Sequence, residues 1–176
     1  MKRETIYNLL VSWENINLLM EQMITNPTAI DSLIKIGLYD TEKESWRAVW
    51  IVDKIHEKRP ELIRPYIPQL IDSLQTVTNE SKIRHLLKLI SLNPLPDKKL
   101  SFLLNYSLDI FTNAARPIAI RVHAMLILFE ISEYESGFKS ELIQLIEHEI
   151  EFHPSAGLKS RGTKLLRKLH PFAQKN

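Results

Sequence analysis

The sequence predicts an all-α protein, a stack of about nine helices in which successive helices run antiparallel. Three observations predict it. Nine prolines fall mostly between helix-sized apolar segments. No segment alternates apolar and polar residues long enough to make a half-buried strand, and four glycines in 176 residues leave little for tight β-turns. An arginine also recurs at a near-constant interval along the chain.

The elements follow in order. The first helix runs from about Glu4 to Thr25. Asn26-Pro27 opens a second, because proline suits the first turn where its missing N–H is no loss, and Gly37 closes it. Asp40 or Thr41 caps a third, reaching Lys58; Pro60 begins a fourth, ending near Val77; Asn79 caps a fifth, ending near Asn93. A sixth covers Asp97 to Asn113, Pro117 starts a seventh ending near Tyr134, and Gly137 precedes an eighth reaching Phe152. Pro154-Ser155 opens the ninth, which stops before Pro171. The connections are short, so neighbouring helices lie side by side.

Self-similarity is the most informative signal. Arg47, Arg84, Arg121 and Arg161 align the third, fifth, seventh and ninth helices at intervals of 37, 37 and 40 residues. Five positions after each stand Val52, Leu89, Leu126 and Leu166, and eight after stand Ile55, Leu92, Phe129 and Leu169. All are apolar, and a spacing of three keeps them on one face. The intervening helices echo one another too: Ile30-Asp31-Ser32-Leu33 recurs as Ile71-Asp72-Ser73-Leu74, with Ser107-Leu108-Asp109-Ile110 and Leu145-Ile146-Glu147 as looser copies. A single domain of residues 1–176 results, with residues 1–25 as a divergent capping helix and four pairs at 27–58, 60–93, 96–134 and 137–170.

That period, with two helices per unit and an arginine early in the second, resembles HEAT or armadillo-type repeats. The run Pro60-Glu61-Leu62-Ile63-Arg64-Pro65-Tyr66-Ile67-Pro68 is similar to the proline-kinked first helix of a HEAT unit. The resemblance covers about residues 27–170 and implies a right-handed α-α superhelix, a HEAT-like solenoid. Arg116-Pro117 through Lys168-Leu169 also resembles small bacterial HEAT-like proteins without an assigned function, some of them labelled adenylosuccinate lyase. The glycine-rich loop with serine, methionine, lysine and asparagine that such a lyase needs has no counterpart in this sequence.

Composition bounds the function. Apolar residues make up 44% and charged residues 25%, the balance of a globular chain. Without cysteine there is no disulfide framework, thiolate zinc site or cysteine nucleophile. Met1-Lys2-Arg3-Glu4, followed by an apolar run broken at Trp13-Glu14-Asn15, is no signal peptide. No stretch nears the roughly 18 apolar residues that span a membrane. A cytoplasmic protein is the expectation.

Catalytic templates fail. Gly37, Gly137, Gly157 and Gly162 never form a phosphate-cradling loop, and no nucleophile elbow occurs. His148 and His153 stand five apart, about 140° around a helix, and so share no metal from one face. His123, on the apolar seventh helix, reads as a buried core histidine, and Glu147 with Glu151 as solvated surface. No cofactor, metal or catalytic residue is expected.

Two constellations remain. Trp46, Trp50 and Asp53, with Glu57 beyond, cluster on one face of the third helix, opposite Val49, Val52 and Ile55. Two tryptophans beside an aspartate suit a stacked base or aromatic ligand, as in HEAT-like alkylpurine DNA glycosylases. Repeat symmetry supports the other reading: the matching positions are Ile83, Leu87 and Ile90, then Ile120, Ala124 and Ile127, all core-type residues, so the tryptophans pack between units and Asp53 pairs locally or lies at the edge. The second constellation is charge. Residues 155–176 carry Lys159, Arg161, Lys164, Arg167, Lys168 and Lys175 and no acid, a net +6, while residues 1–154 sum to −4. Arg161, Lys164, Arg167 and Lys168 are therefore candidate binding residues. The register arginines either form a ladder with Asp31, Asp72, Asp109, Glu147 and loop carbonyls, or line a basic stripe on the concave face.

The leading expectation is a non-enzymatic binding or scaffold module that presents its surface to a protein or peptide. The alternative is a nucleic-acid binder, possibly glycosylase-like. The overall pI near 8.8, concentrated in one helix, is a small basic footprint for nucleic acid.

Overall fold

The computed structural model describes residues 1–173, with side-chain detail through residue 170. Ten α-helices and no strand occur among the described residues. They fall into two compact units, Met1–Asn93 and Pro94–Asn176.

The first unit holds α1 (Arg3–Val11), α2 (Trp13–Thr25), α3 (Ile30–Tyr39), α4 (Trp46–Lys58), α5 (Ile67–Ser73) and α6 (Glu80–Ser91). Helix α3 packs on α1 and α4, α4 on α2 and α6, and α5 on α6. The second holds α7 (Leu100–Thr112), α8 (Ile118–Tyr134), α9 (Lys139–Phe152) and α10 (Ala156–Ala173). Helices α7 and α8 pack closely, α9 and α10 likewise, and α8 touches both α9 and α10.

Several boundaries differ from the sequence expectation, each for a local reason. The expected first helix is two, broken at Ser12, whose φ of −100° and ψ of 128° are extended. The expected helix from Pro60 to Val77 shrinks to the seven residues of α5, preceded by 3₁₀ turns at Pro60–Leu62 and Arg64–Tyr66. Three prolines within nine residues remove the donors a longer α-helix needs. Neither Asp40 nor Thr41 caps α4; a 3₁₀ turn at Lys43–Ser45 leads into it. The ninth expected helix does not stop before Pro171 but runs to Ala173, since a proline in the last turn costs one hydrogen bond and not the helix. Asn79 does cap α6, its side chain accepting from the Lys82 N–H at 3.1 Å. In α10 the Ser155 hydroxyl accepts from the Leu158 N–H at 3.1 Å.

Burial follows the predicted register in part. Val52, Ile55, Leu89 and Leu169 are buried, Leu126, Phe129 and Leu166 only partly. Leu92 is 55% exposed because α6 has already ended. Helix α8 is the most embedded of the second unit, with Ile120, Ala124, Met125, Ile127, Leu128 and Ile131 buried, yet its first turn is open and Ile118 is 38% exposed.

Gly37 does not close a helix; it sits inside α3, buried against α4. A Cβ there would lie 2.8 Å from Val49 Cγ2 and 3.1 Å from the Val49 backbone nitrogen. The glycine is present so that α3 and α4 can approach. Gly37→Ala should therefore destabilise the protein by about 1–3 kcal/mol, since one of the obstacles is backbone and cannot rotate away; urea denaturation with an unchanged midpoint would show that the helices separate at no cost.

Candidate functional site

The register arginines are the first residues to place. In α4, Arg47 sends one guanidinium nitrogen to the carbonyls of Leu10 at 2.8 Å and Val11 at 2.6 Å. In a continuous helix those carbonyls would bond the N–H groups one turn on, so Arg47 satisfies the end of α1 where the chain breaks at Ser12. In α8, Arg121 is 1% exposed; its Nε donates to the Phe111 carbonyl at the end of α7 at 2.9 Å, and it pairs with the buried Glu149 of α9. The loop-carbonyl half of the expected ladder is present at these two positions, and the acidic half differs. Asp31 pairs with Lys35 on its own helix at 2.8 Å, Glu147 lies 3.8 Å from His170, and the acid of Arg121 is Glu149. Arg84 instead reaches the His85 ring at 3.3 Å.

Trp46 and Trp50 are half-buried. Sequence reasoning missed their partner. Trp13, at the start of α2 and 52% exposed, meets Trp46 edge-on at 6.1 Å and Trp50 at 5.8 Å between ring centroids. The Arg47 guanidinium lies 4.5 Å over the Trp13 ring, a cation–π contact. The three tryptophans and one arginine thus clamp the α1–α2 corner onto α4. No single-helix pattern pairs residues 33 and 37 apart; one hint was that Trp13 directly follows the future break.

Asp53 is 1% exposed and lies neither at an edge nor in a purely local pair. It accepts from His85 Nδ1 at 2.9 Å and from Lys88 Nζ at 3.0 Å, both on α6, and Lys88 also bridges to Glu57 at 2.7 Å. Because the Arg84 guanidinium only donates, His85 Nε2 accepts and Nδ1–H donates to Asp53. Burial alone would raise the Asp53 pKa; the bonds from His85 and Lys88 outweigh it and hold the carboxylate below its ordinary value. Glu57 is lowered as well, through Lys54 and Lys88. The sequence placed Asp53 beside the tryptophans; the fold turns its carboxylate to α6.

A buried lysine also escaped the sequence reading. Lys82 of α6, 5% exposed, donates to the Asp40 carbonyl at 2.7 Å, and burial lowers its pKa.

In the second unit, Arg161, Lys164, Arg167 and Lys168 are all exposed on α10. Lys168 lies 5.5 Å from the Phe129 ring centre, and among the described residues none of the four is in an ion pair. Lys175 lies outside the described residues. Arg161 and Lys164 line a cleft of about 520 Å³ together with Ile118, Ala119, Val122, His123, Gly157 and Ser160. His123 is half-buried and lines this cleft, so it is not a fully buried core residue. His148 and His153 do meet, their rings 6.3 Å apart, since His153 lies past the end of α9 where the helical angle no longer applies. Among the described residues no cluster of three metal-ligating side chains occurs. Nor is any described helix long and apolar enough to cross a membrane.

The repeated helix pairs and their register arginines agree with the comparison to known families. Residues 7–169 match the sequence model of the HEAT repeat domain, and the chain belongs to that family. No curated protein and no solved structure matches it.

Three substitutions test the buried charges. Arg121→Met strands the Glu149 carboxylate and should cost about 3–5 kcal/mol, and adding Glu149→Leu should recover much of that loss; denaturant unfolding of the single and double variants decides it. Asp53→Asn should cost about 2 kcal/mol at neutral pH. A depressed carboxylate stabilises above its unfolded pKa and loses that contribution as pH falls through the folded one, so the gap between Asp53→Asn and the native protein should narrow below about pH 4. Urea midpoints at neutral pH and near pH 3 measure it, and a constant gap would contradict the ion-pair account.

Proposed function

We propose that this HEAT-repeat chain is a non-enzymatic scaffold that binds an acidic protein or peptide through the exposed face of α10. The observation that carries this reading is that Arg161, Lys164, Arg167 and Lys168 are exposed on one helix without an acidic partner among the described residues. Other cations are bound within the fold: Arg47 and Arg121 bond helix-end carbonyls, and Lys88 bonds Asp53 and Glu57. Cations in the last turn of a helix oppose the macrodipole, but α10 runs to Ala173, so this accounts for none of the four. Repeat surfaces commonly serve as extended binding faces. The family match from 7 to 169 leaves little of the chain outside repeat structure.

The nucleic-acid alternative draws less support. The cations occupy one helix and not a broad patch, and the Asp53 carboxylate is buried and bonded to His85 and Lys88 of α6, not offered beside the tryptophans to a ligand.

Pull-down from native lysate with the full chain should retain an acidic protein that high salt releases, and reversal of the four α10 cations to glutamate should abolish retention. A labelled DNA duplex should show no binding at roughly 50 mM salt, where phosphate contacts are strongest. Retention of nucleic acid or a metabolite alone would overturn the reading.

A further inference from the structure

The cleft between α8 and α10 has two unlike walls. Ile118, Ala119 and Val122 make one, at the open first turns of α8; Ser160, Arg161 and Lys164 make the other. Its volume of about 520 Å³ is the size of a site for one or a few side chains. We propose that it is the receptor for an acidic peptide, taking a carboxylate on Arg161 and Lys164 and an adjoining apolar side chain against Ile118 and Val122. This rests on the binding-module reading above and narrows it to one place.

Arg161 is the first reason. It holds the register position of Arg47, Arg84 and Arg121, each of which bonds a helix-end carbonyl or a neighbouring ring. Among the described residues Arg161 has no such acceptor, so its planar fork is available to an outside carboxylate, the group that fork matches best. Lys164, three residues on, falls on the same face and adds a second cation. Ser160 contributes a hydroxyl at the same level.

Gly157 is the second reason. A Cβ at this position would lie 3.1 Å from Ile118 Cγ2 and 3.9 Å from Val122 Cγ2. Its bare backbone lets α10 approach α8 closely here, which brings the apolar Ile118 and Val122 beside the cations of α10. Ile118, 38% exposed, is an aliphatic residue at the rim of a cationic groove. A nucleic-acid phosphate would use the cations but has no use for that wall. An acidic residue next to an aliphatic or aromatic one uses both.

The test is a selection of random displayed heptapeptides on the immobilised full-length chain. Enriched peptides should carry Asp or Glu beside Leu, Ile or Phe. Arg161→Glu with Lys164→Glu should weaken the best synthetic peptide by about tenfold or more. Ala119→Trp, which keeps the charge and fills the cleft from its exposed rim, should weaken it comparably, with circular dichroism and thermal melts confirming an intact fold. Acidic peptides that still bind Ala119→Trp at full strength would overturn the cleft while leaving the α10 face as the binding surface. Enrichment of neutral or basic peptides, or of none, would also overturn it. Displacement of the peptide by duplex DNA at equal charge would assign the cations to nucleic acid and overturn both readings.

Discussion

Everything in this fold depends on satisfying helix ends inside a stack of short helices. Each helix leaves several carbonyls without an internal partner at its C-terminus, and where that end is covered by another helix no water replaces them. Arg47 and Arg121 supply the answer in both units: a long cationic side chain from a second helix donates to the terminal carbonyls of a helix earlier in the chain. The guanidinium suits this because it offers several donors in a plane and its charge opposes the negative end of the helix dipole. At Arg121 the cation is itself fully buried, so Glu149 must be buried beside it.

The same economy explains how the charged residues divide. Those in the interior are committed. Asp53, His85, Lys88 and Glu57 form a closed network between α4 and α6, and Trp13, Trp46, Trp50 and Arg47 pin the corner between α1 and α2. On α10, Arg161, Lys164, Arg167 and Lys168 are exposed and outside any ion pair among the described residues. A repeat arginine has work to do when a helix end lies within its reach. Arg161 has none among the described residues and is exposed beside a cleft.

Much of the fold was legible in the chain. Asn79 as a cap, Pro117 just ahead of α8 and Pro154-Ser155 ahead of α10 are local signals, and local signals act through the few residues around them. The recurring arginines identified the repeat. The site was less legible. Asp53 shares a helical face with Trp46 and Trp50, but a face wide enough to hold all three touches two environments, and only the position of α6 decides which one receives the carboxylate. No period within one helix joins Trp13 to Trp46 and Trp50; its 37-residue spacing from Trp50 equals the repeat interval, but spacing alone does not bring the rings into contact across the break at Ser12.

That break separates what the sequence determined from what the tertiary structure decided. Propensity, prolines and capping residues determined that the chain is helical and where most helices begin, since these are interactions within one turn. They did not divide residues 4–25 into two helices. Ser12 is extended, and Arg47, 36 residues away from Val11, bonds the carbonyls that a continuous helix would use within itself. Similarly, Gly37 reads as a terminator by composition, and it became an interior residue because α4 lies too close for any side chain. In both places the local preference gave way where a partner distant in sequence bonds or packs.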